Sequence, residues 1–398
     1  MMEVEDLSQM MIEENSSQHN DLVTWRRWLH QHPELGFQEH LTSQFVAEKL
    51  KSFGLIPEVG LGGTGVVASI HGRKPGREIG LRADIDALKI VESNSFNHCS
   101  VHKGRMHACG HDGHTVMLLG ASKQLAEYRH FSGVVHVIFQ PAEEVGTGGK
   151  MMMEDGLFER FQAEEIYGMH NWPGLEAGKF VVHDGPVMAA SKPFDIEITG
   201  LGCHAAMPHL GCDPIFAGSQ IITALQSIVS RNLNPFDSAV VSVTRFVSGD
   251  SHNIVPGVAR LQGTVRYLET SVGLMIQNRM KSIVEDIAKG LGVRATLEFS
   301  EMGTPPIINN SEQAKVCVRA LRKLVHEKNV LINEFPSMGG EDFSHYLEKV
   351  PGAYIWIGNG TANNGQGLHN SGYDFNDSIL PLGVNYWLSL VNERLPYV

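Results

Sequence analysis

The feature that most limits the fold is a change of rhythm in the middle of the chain. Up to about Met188, the runs GVVASI, EIGLRADIDAL, GVVHVIFQPAEE and AEEIYGMHNW each place apolar residues before polar ones, and the helical stretch HTVMLLGASKQLAEY lies between two of them. That alternation predicts an α/β layered domain. Beyond it, KPFDIEITGLGCHA reads as a strand, DPIFAGSQIITALQSIVSR as a helix, SAVVSVTRFVSG and ARLQGTVRYL as strands, GLMIQNRMKSIVEDIAKGLG as a helix and RATLEFSEM as a last strand. The order βαββαβ makes a compact two-layer α+β unit. Helix and strand patterns resume past Pro305-Pro306, from EQAKVCVRALRKLV to PLGVNYWLSLVNERL. The expected architecture is a discontinuous larger α/β domain over 1–189 and 305–398, with a smaller α+β domain inserted at 190–304.

A length of 398 residues suits two cores. Asp and Glu outnumber Lys and Arg by 44 to 32, for a net charge of -12, which argues against nucleic acid as the main partner and points to small-molecule chemistry. The opening MMEVEDLSQMMIEEN is acidic and has neither the basic nor the apolar segment of a secretory signal, and no apolar run reaches membrane-spanning length. Five scattered cysteines do not suggest a disulfide framework. Cytoplasm is the expected compartment, with no nucleic-acid or membrane partner.

MHACGHDGHT packs His107, Cys109, His111 and His114 between an extended stretch and a helix that Asp112 is placed to cap. In extended chain, residues two apart share a side, so Cys109 and His111 can both reach one cation. Buried structural residues are the alternative, less favoured because Cys and His together suit borderline-soft ions. Glu143 and Glu144 end an apolar strand where α/β folds place their ligand crevice, and neighbours on a strand point opposite ways. One can bind metal while the other takes a proton from the attacking water. A solvated acidic turn is the competing reading. His170 ends a third strand, Asp84 and Asp86 end LRADIDAL, and His369 sits in the Gly/Asn-rich GLHNSGYDFND. Each alone is a weak sign; together they supply the mixture a two-metal hydrolytic site needs.

These motifs, with RRWLHQHPELGFQE, FQPAEE, GMHNWPG, GCHAAMPH, HNIVP, QGTVR and MGGEDF, stand in one order along nearly the whole chain. In that order the chain resembles the peptidase M20 amidohydrolases, in the subgroup of hippurate hydrolase, N-acyl-amino-acid deacylases and auxin-conjugate hydrolases. The resemblance implies metal-dependent hydrolysis of N-acyl amino acids to a carboxylic acid and a free amino acid. It implies two divalent ions (Mn, Zn, Co or Ni) held by Cys109, His111, Glu144, His170 and His369, with Glu143 as general base. Asp86 is implied to orient a ligand, Asp84 standing where other branches carry a ligand His. His204 is implied to help hold the substrate carbonyl oxygen, and Asn253 to assist at the substrate's carboxylate end. The inserted domain is implied to act as a moving lid and to pair in a homodimer. Lys89 after ADIDAL, Cys203 before His204 and Val145-Gly-Thr after the paired glutamates depart from the family pattern, and none removes a ligand. A carboxypeptidase or dipeptidase of the same fold is the rival enzyme. A non-catalytic binding protein would be marked by loss of Glu143 or a ligand, and neither is lost.

Overall fold

The computed structural model describes residues 11–14, 16–362 and 366–397; the first ten residues, where most of the acidic opening falls, lie outside the described residues. Two helices come first. α1 (Ser17–Gln31) begins where the Ser16 hydroxyl accepts from the His19 amide at 3.1 Å, an N-cap that satisfies one orphan donor. Its buried Leu22, Arg26 and Leu29 fall at helical spacing on one face. Pro33 keeps the helix from continuing, since the residue before a proline is pushed out of the helical region, and α2 (His40–Ser52) then buries Val46, Ala47 and Leu50.

Strands β1 (Glu58–Leu61), β2 (Gly65–His71) and β3 (Lys74–Asp84) lead to helix α3 (His111–Tyr128), followed by β4 (Ser132–Gln140), β5 (Glu165–Pro173) and β6 (Phe180–Val182). Eight strands form one sheet in the order β1-β2-β4-β3-β5, then Gly352–Gly360, β6 and Val330–Ile332. β3 runs parallel to β4 and β5, and β5 parallel to Gly352–Gly360, so their carboxyl ends share one edge. On that edge Asp84 lies opposite Gln140, and His170 opposite Trp356. A parallel pair needs a crossover, and α3 is the one between β3 and β4. It is covered on all sides, with Val116, Leu118, Leu119 and Leu125 fully buried, and it packs on Leu380–Arg394. Each fully buried leucine there contributes about 1.5–3 kcal/mol. Among the described residues no helix is long and apolar enough to cross a membrane.

Internal contacts divide the chain into one unit of Met1–Val187, Ile308–Pro336 and Asp342–Val398 and a second of Met188–Ile307 with Ser337–Glu341. The returning piece was not legible in the sequence: the Ala189 amide donates to the Ser337 carbonyl at 2.9 Å, a backbone bond that no side-chain pattern announces. The second unit carries an antiparallel sheet ordered Ala239–Ser248, Val258–Tyr267, Ala190–Thr199, Arg294–Phe299, with helices Pro214–Ser227 and Thr270–Gly290. Phe194, Ile196, Ile198, Leu225, Leu261, Ile276 and Met280 make its own apolar core. Asp213 caps the first helix by accepting from the Ile215 amide at 2.8 Å, with Pro214 in the first turn.

Candidate metal centre

The carboxyl edge of β3, β4 and β5 gathers most of the ligand-type residues read from the sequence. Ligand atoms of Cys109, His111 and His170 lie within 4.8 Å of one another, as do those of Cys109, Glu144 and His369, and those of His111, Glu143 and Glu144. Metal–ligand bonds of about 2.0–2.3 Å put two ligands of one ion within roughly 4.6 Å, so this spacing fits cations.

Cys109 and His111 meet by a route other than the expected extended alternation. Gly110 between them has φ 90° and ends the extended stretch, and α3 begins at His111 itself. A Cβ at residue 110 would collide with the Asn171 amide and the Tyr373 hydroxyl, so glycine is required both for the turn and for the space. Asp112 does not cap the helix. It lies inside the first turn, and its carboxylate accepts from His30 Nδ1 at 2.8 Å instead.

Glu143 and Glu144 do not alternate on a strand either. β4 ends at Gln140, and the pair sits on a turn closed by the Gly146 amide donating to the Glu143 carbonyl at 2.7 Å. Pro141 lacks the N–H to continue the ladder, and Ala142 takes φ 53°, a conformation costing on the order of 1 kcal/mol. Buried Glu39 holds that strained residue by accepting from the Ala142 amide at 2.8 Å and from the Thr64 hydroxyl at 2.7 Å. Both glutamates thereby face His111, which the turn achieves and a strand would not.

Hydrogen bonds fix which ring nitrogen each histidine offers. His170 Nδ1 donates to the Asn171 carbonyl at 2.6 Å, leaving Nε2 at 3.4 Å from the Cys109 sulfur. His111 Nδ1 donates to Asp86 at 3.2 Å, leaving Nε2 buried with no hydrogen-bond partner. Orienting a ligating imidazole through its other nitrogen is how outer carboxylates serve metal sites. Asp86 also accepts from the Glu144 amide at 3.0 Å, so one carboxylate sets two groups. His369, at φ 61°, is placed by its amide donating to the Ala108 carbonyl at 2.8 Å, and its Nε2 lies 3.3 Å from Glu144 Oε1.

His114 is different. Its Nδ1 donates to Asp84 at 2.6 Å, and its Nε2 accepts from the Asn171 amide at 2.9 Å. Both nitrogens are spent, and Asp84 is shared between His114 and Arg82, whose Nη1 lies at 2.8 Å. The close trio Asp84, His111 and His114 is therefore a support for the centre. Asn171 continues that support by donating to the Cys109 carbonyl at 2.6 Å and accepting from the Tyr373 hydroxyl at 2.7 Å. Arg82, Asn171, Tyr373 and Glu39 were missed by sequence reasoning, although each lies inside a quoted motif: LRADIDAL, GMHNWPG, GLHNSGYDFND and RRWLHQHPELGFQE. His107, read with the ligand cluster, is buried elsewhere, its ring 6.5 Å from that of His30.

Burial alone would drive His111 to its neutral form, yet Asp84, Asp86 and Glu144 outweigh it and raise the imidazole to about 10. Burial likewise pushes Glu144 up, and His369 and His111 outweigh that to hold it low. Burial, reinforced by His114, keeps His170 well below its ordinary value, in the neutral form that ligates. A pocket that holds a proton on a fully buried imidazole is one whose negative potential favours a cation. His111 Nε2, buried without a hydrogen-bond partner inside a thiolate, imidazole and carboxylate set, is what such an ion would satisfy.

Lys89 is exposed and the turn beside it is held by Leu88 and Met106 exchanging backbone bonds at 3.0 Å, so the departure after ADIDAL leaves the ligands alone. His204 and Asn253 belong to the second unit and are absent from the cation-spaced groups found among the described residues. They are brought together there: His204 pairs with Ile254 in a short ladder, and the Ala205 amide donates to the Asn253 carbonyl at 3.0 Å.

Residues 80–393 match the family described as peptidase family M20/M25/M40. Hippurate hydrolase of Campylobacter jejuni is 40% identical over 370 residues, covering 93% of this chain and 95% of that protein. An N-acyl-L-amino acid amidohydrolase of Geobacillus stearothermophilus is 44% identical over 294 residues, 73% of this chain and 79% of its own. A solved Bacillus subtilis structure, described as a dinuclear metal binding peptidase from the M20 family, superposes with TM-score 0.84 at 34% identity, covering 96% of this chain and 99% of that one.

Proposed function

The chain belongs to peptidase family M20/M25/M40, and from that membership we propose that it hydrolyses the amide bond of N-acyl amino acids with the help of two divalent cations. The observation that carries this reading is the buried His111 Nε2, which has no hydrogen-bond partner, beside two cation-spaced trios that share Cys109. Cys109, His111 and His170 would hold one ion, and Cys109, Glu144 and His369 the other. Bound ions supply a Lewis acid for the scissile carbonyl and lower the pKa of the attacking water. Thiolate favours Zn, Co or Ni, while the carboxylate and imidazoles admit Mn.

The chain's own groups do the rest. Glu143, whose carboxylate lies within 4.8 Å of His111 and Glu144 ligand atoms, takes the proton of the attacking water and returns it to the departing nitrogen. That return matters because an unprotonated amine leaves poorly. Asp86 keeps His111 aimed, and the Asp84–His114–Asn171 chain keeps Cys109 in place. His204 and Asn253 carry the substrate-side roles, at the carbonyl oxygen and the carboxylate end, and act as a lid; kcat of His204→Ala tests this. Pairing of two chains through the second unit is supported by its edge strand Ala239–Ser248, where Phe246 and Val247 are exposed. Cytoplasm suits a thiolate ligand in a chain whose five cysteines form no disulfide.

The test is elemental analysis of the purified chain beside a panel of benzoylglycine, N-acetyl amino acids and dipeptides. The expected result is two equivalents of transition metal and release of amino acid from the N-acyl substrates. Release from dipeptides alone would replace this reading by the peptidase one, and metal without turnover on any of them by the binding protein.

A further inference from the structure

Two indoles stand at the metal end of β5. Trp172 lies two residues past His170 on the same strand, and strand periodicity puts the two side chains on one face. Their ring centroids are 6.2 Å apart. Trp172 stacks on Trp356 with centroids 3.9 Å apart and planes within 8° of parallel. His183 packs its ring 4.9 Å from Trp356 at 72°, so the lower indole is clamped from a second direction. Trp356 is 3% exposed, whereas Trp172 is only partly buried. Neither is part of the large apolar core around α3, so the stack is not explained by filling that core.

Resting on the hydrolase reading above, we propose that Trp172, stacked on Trp356 beside His170, is the platform that receives a planar aromatic acyl group and so sets acyl specificity. One face of the Trp172 indole is spent on Trp356, and the surface it keeps belongs to its other face and edge. His170 and Trp172 meet edge to face, with centroids 6.2 Å apart, so a ring joined directly to a carbonyl held beside His170 lies within reach of the Trp172 indole. An acetyl group has no plane to lay there. Aromatic stacking adds attraction beyond area burial, enough for about tenfold discrimination, and a plane already fixed by Trp356 and His183 loses no rotamer freedom on binding. Trp172 is a specificity residue here; it takes no proton and holds no metal.

The test uses the metal-loaded chain, Trp172→Ala and Trp172→Phe, with benzoylglycine and acetylglycine, which share the leaving amino acid. Trp172→Ala is expected to lower kcat/KM on benzoylglycine about tenfold and to change acetylglycine less than about twofold, with Trp172→Phe recovering most of the loss. Benzoate is expected to change the tryptophan emission of the wild type and to lose that effect in Trp172→Ala. Equal losses on both substrates, or an unchanged benzoylglycine rate, would overturn the proposal. If the wild type cleaves neither substrate, the hydrolase reading fails, and the emission titration with benzoate alone still decides whether Trp172 is an aromatic platform.

Discussion

His111 and Asp112 are adjacent, yet they feed two buried charged clusters of opposite character. Asp112 joins a closed network. It accepts from His30, His30 Nε2 meets Glu92 at 3.2 Å, and fully buried Arg26 reaches Asp377 at 2.6 Å and Asp374 at 3.0 Å. Cation faces anion throughout. His111 joins an open cluster, where Asp84, Asp86, Glu143 and Glu144 stand near its imidazole and its buried Nε2 keeps no hydrogen-bond partner. Residue type does not separate them, since both are His and carboxylate in the dark. Satisfaction does: each ionic group named in the first cluster meets a partner and reads as structure, while the second leaves a buried imidazole nitrogen that an added cation would complete.

The largest expected effect breaks the open cluster without emptying it. Glu143→Gln keeps the shape but cannot accept a proton, so kcat should fall by about a thousandfold while metal content holds. Glu144→Gln should lose metal instead, and the reverse pattern by elemental analysis would exchange the two roles.

Breaking the closed cluster should show in stability and leave chemistry alone. Arg26→Met removes a fully buried guanidinium from between Asp112, Asp374 and Asp377, at a cost of about 3–5 kcal/mol in urea unfolding of the metal-loaded chain. Metal stoichiometry of the folded fraction should not change. Loss of metal with little loss of stability would mean that the two clusters are one.

The smallest effect sharpens the contrast through pH. Burial pushes His30 down, but its bonds to Asp112 and Glu92 prevail and raise it from 6.5 to about 9. The folded chain therefore holds a proton that the unfolded chain releases above 6.5. Its contribution is whole below that pH and is lost as pH climbs through about 9, on the order of 3 kcal/mol. Thermal melts from pH 6 to 10 should show this loss in the wild type and less of it in His30→Gln. An equal slope in both would remove His30 from the account.

Much of this was legible in the chain because strands and ligands leave local marks. The βαββαβ order, the α/β alternation and the Cys, His and Glu positions are statements about neighbours in sequence. What escaped was decided across distance. Asp112 looks like a cap until His30, 82 positions away, takes its carboxylate. His114 looks like a ligand until Asn171 and Asp84 use up its ring. Glu143 and Glu144 look like strand residues until Glu39 fixes Ala142 in a turn. The second unit's returning piece, Ser337–Glu341, is held by backbone bonds that leave no side-chain signature.

The place of Gly352–Gly360 in the large sheet has a consequence for how the protein is made. That strand lies between β5 and β6, both synthesised long before it, and His369 follows it about 200 residues after His170. At roughly 5–20 residues per second, Cys109, His111, Glu144 and His170 exist for about 10 to 40 s before the last ligand is made. During that interval the sheet has a gap where its sixth strand belongs, and the nascent chain offers four of the five proposed ligands. Completion of the proposed ligand set and closure of the sheet are thus tied to the same late event.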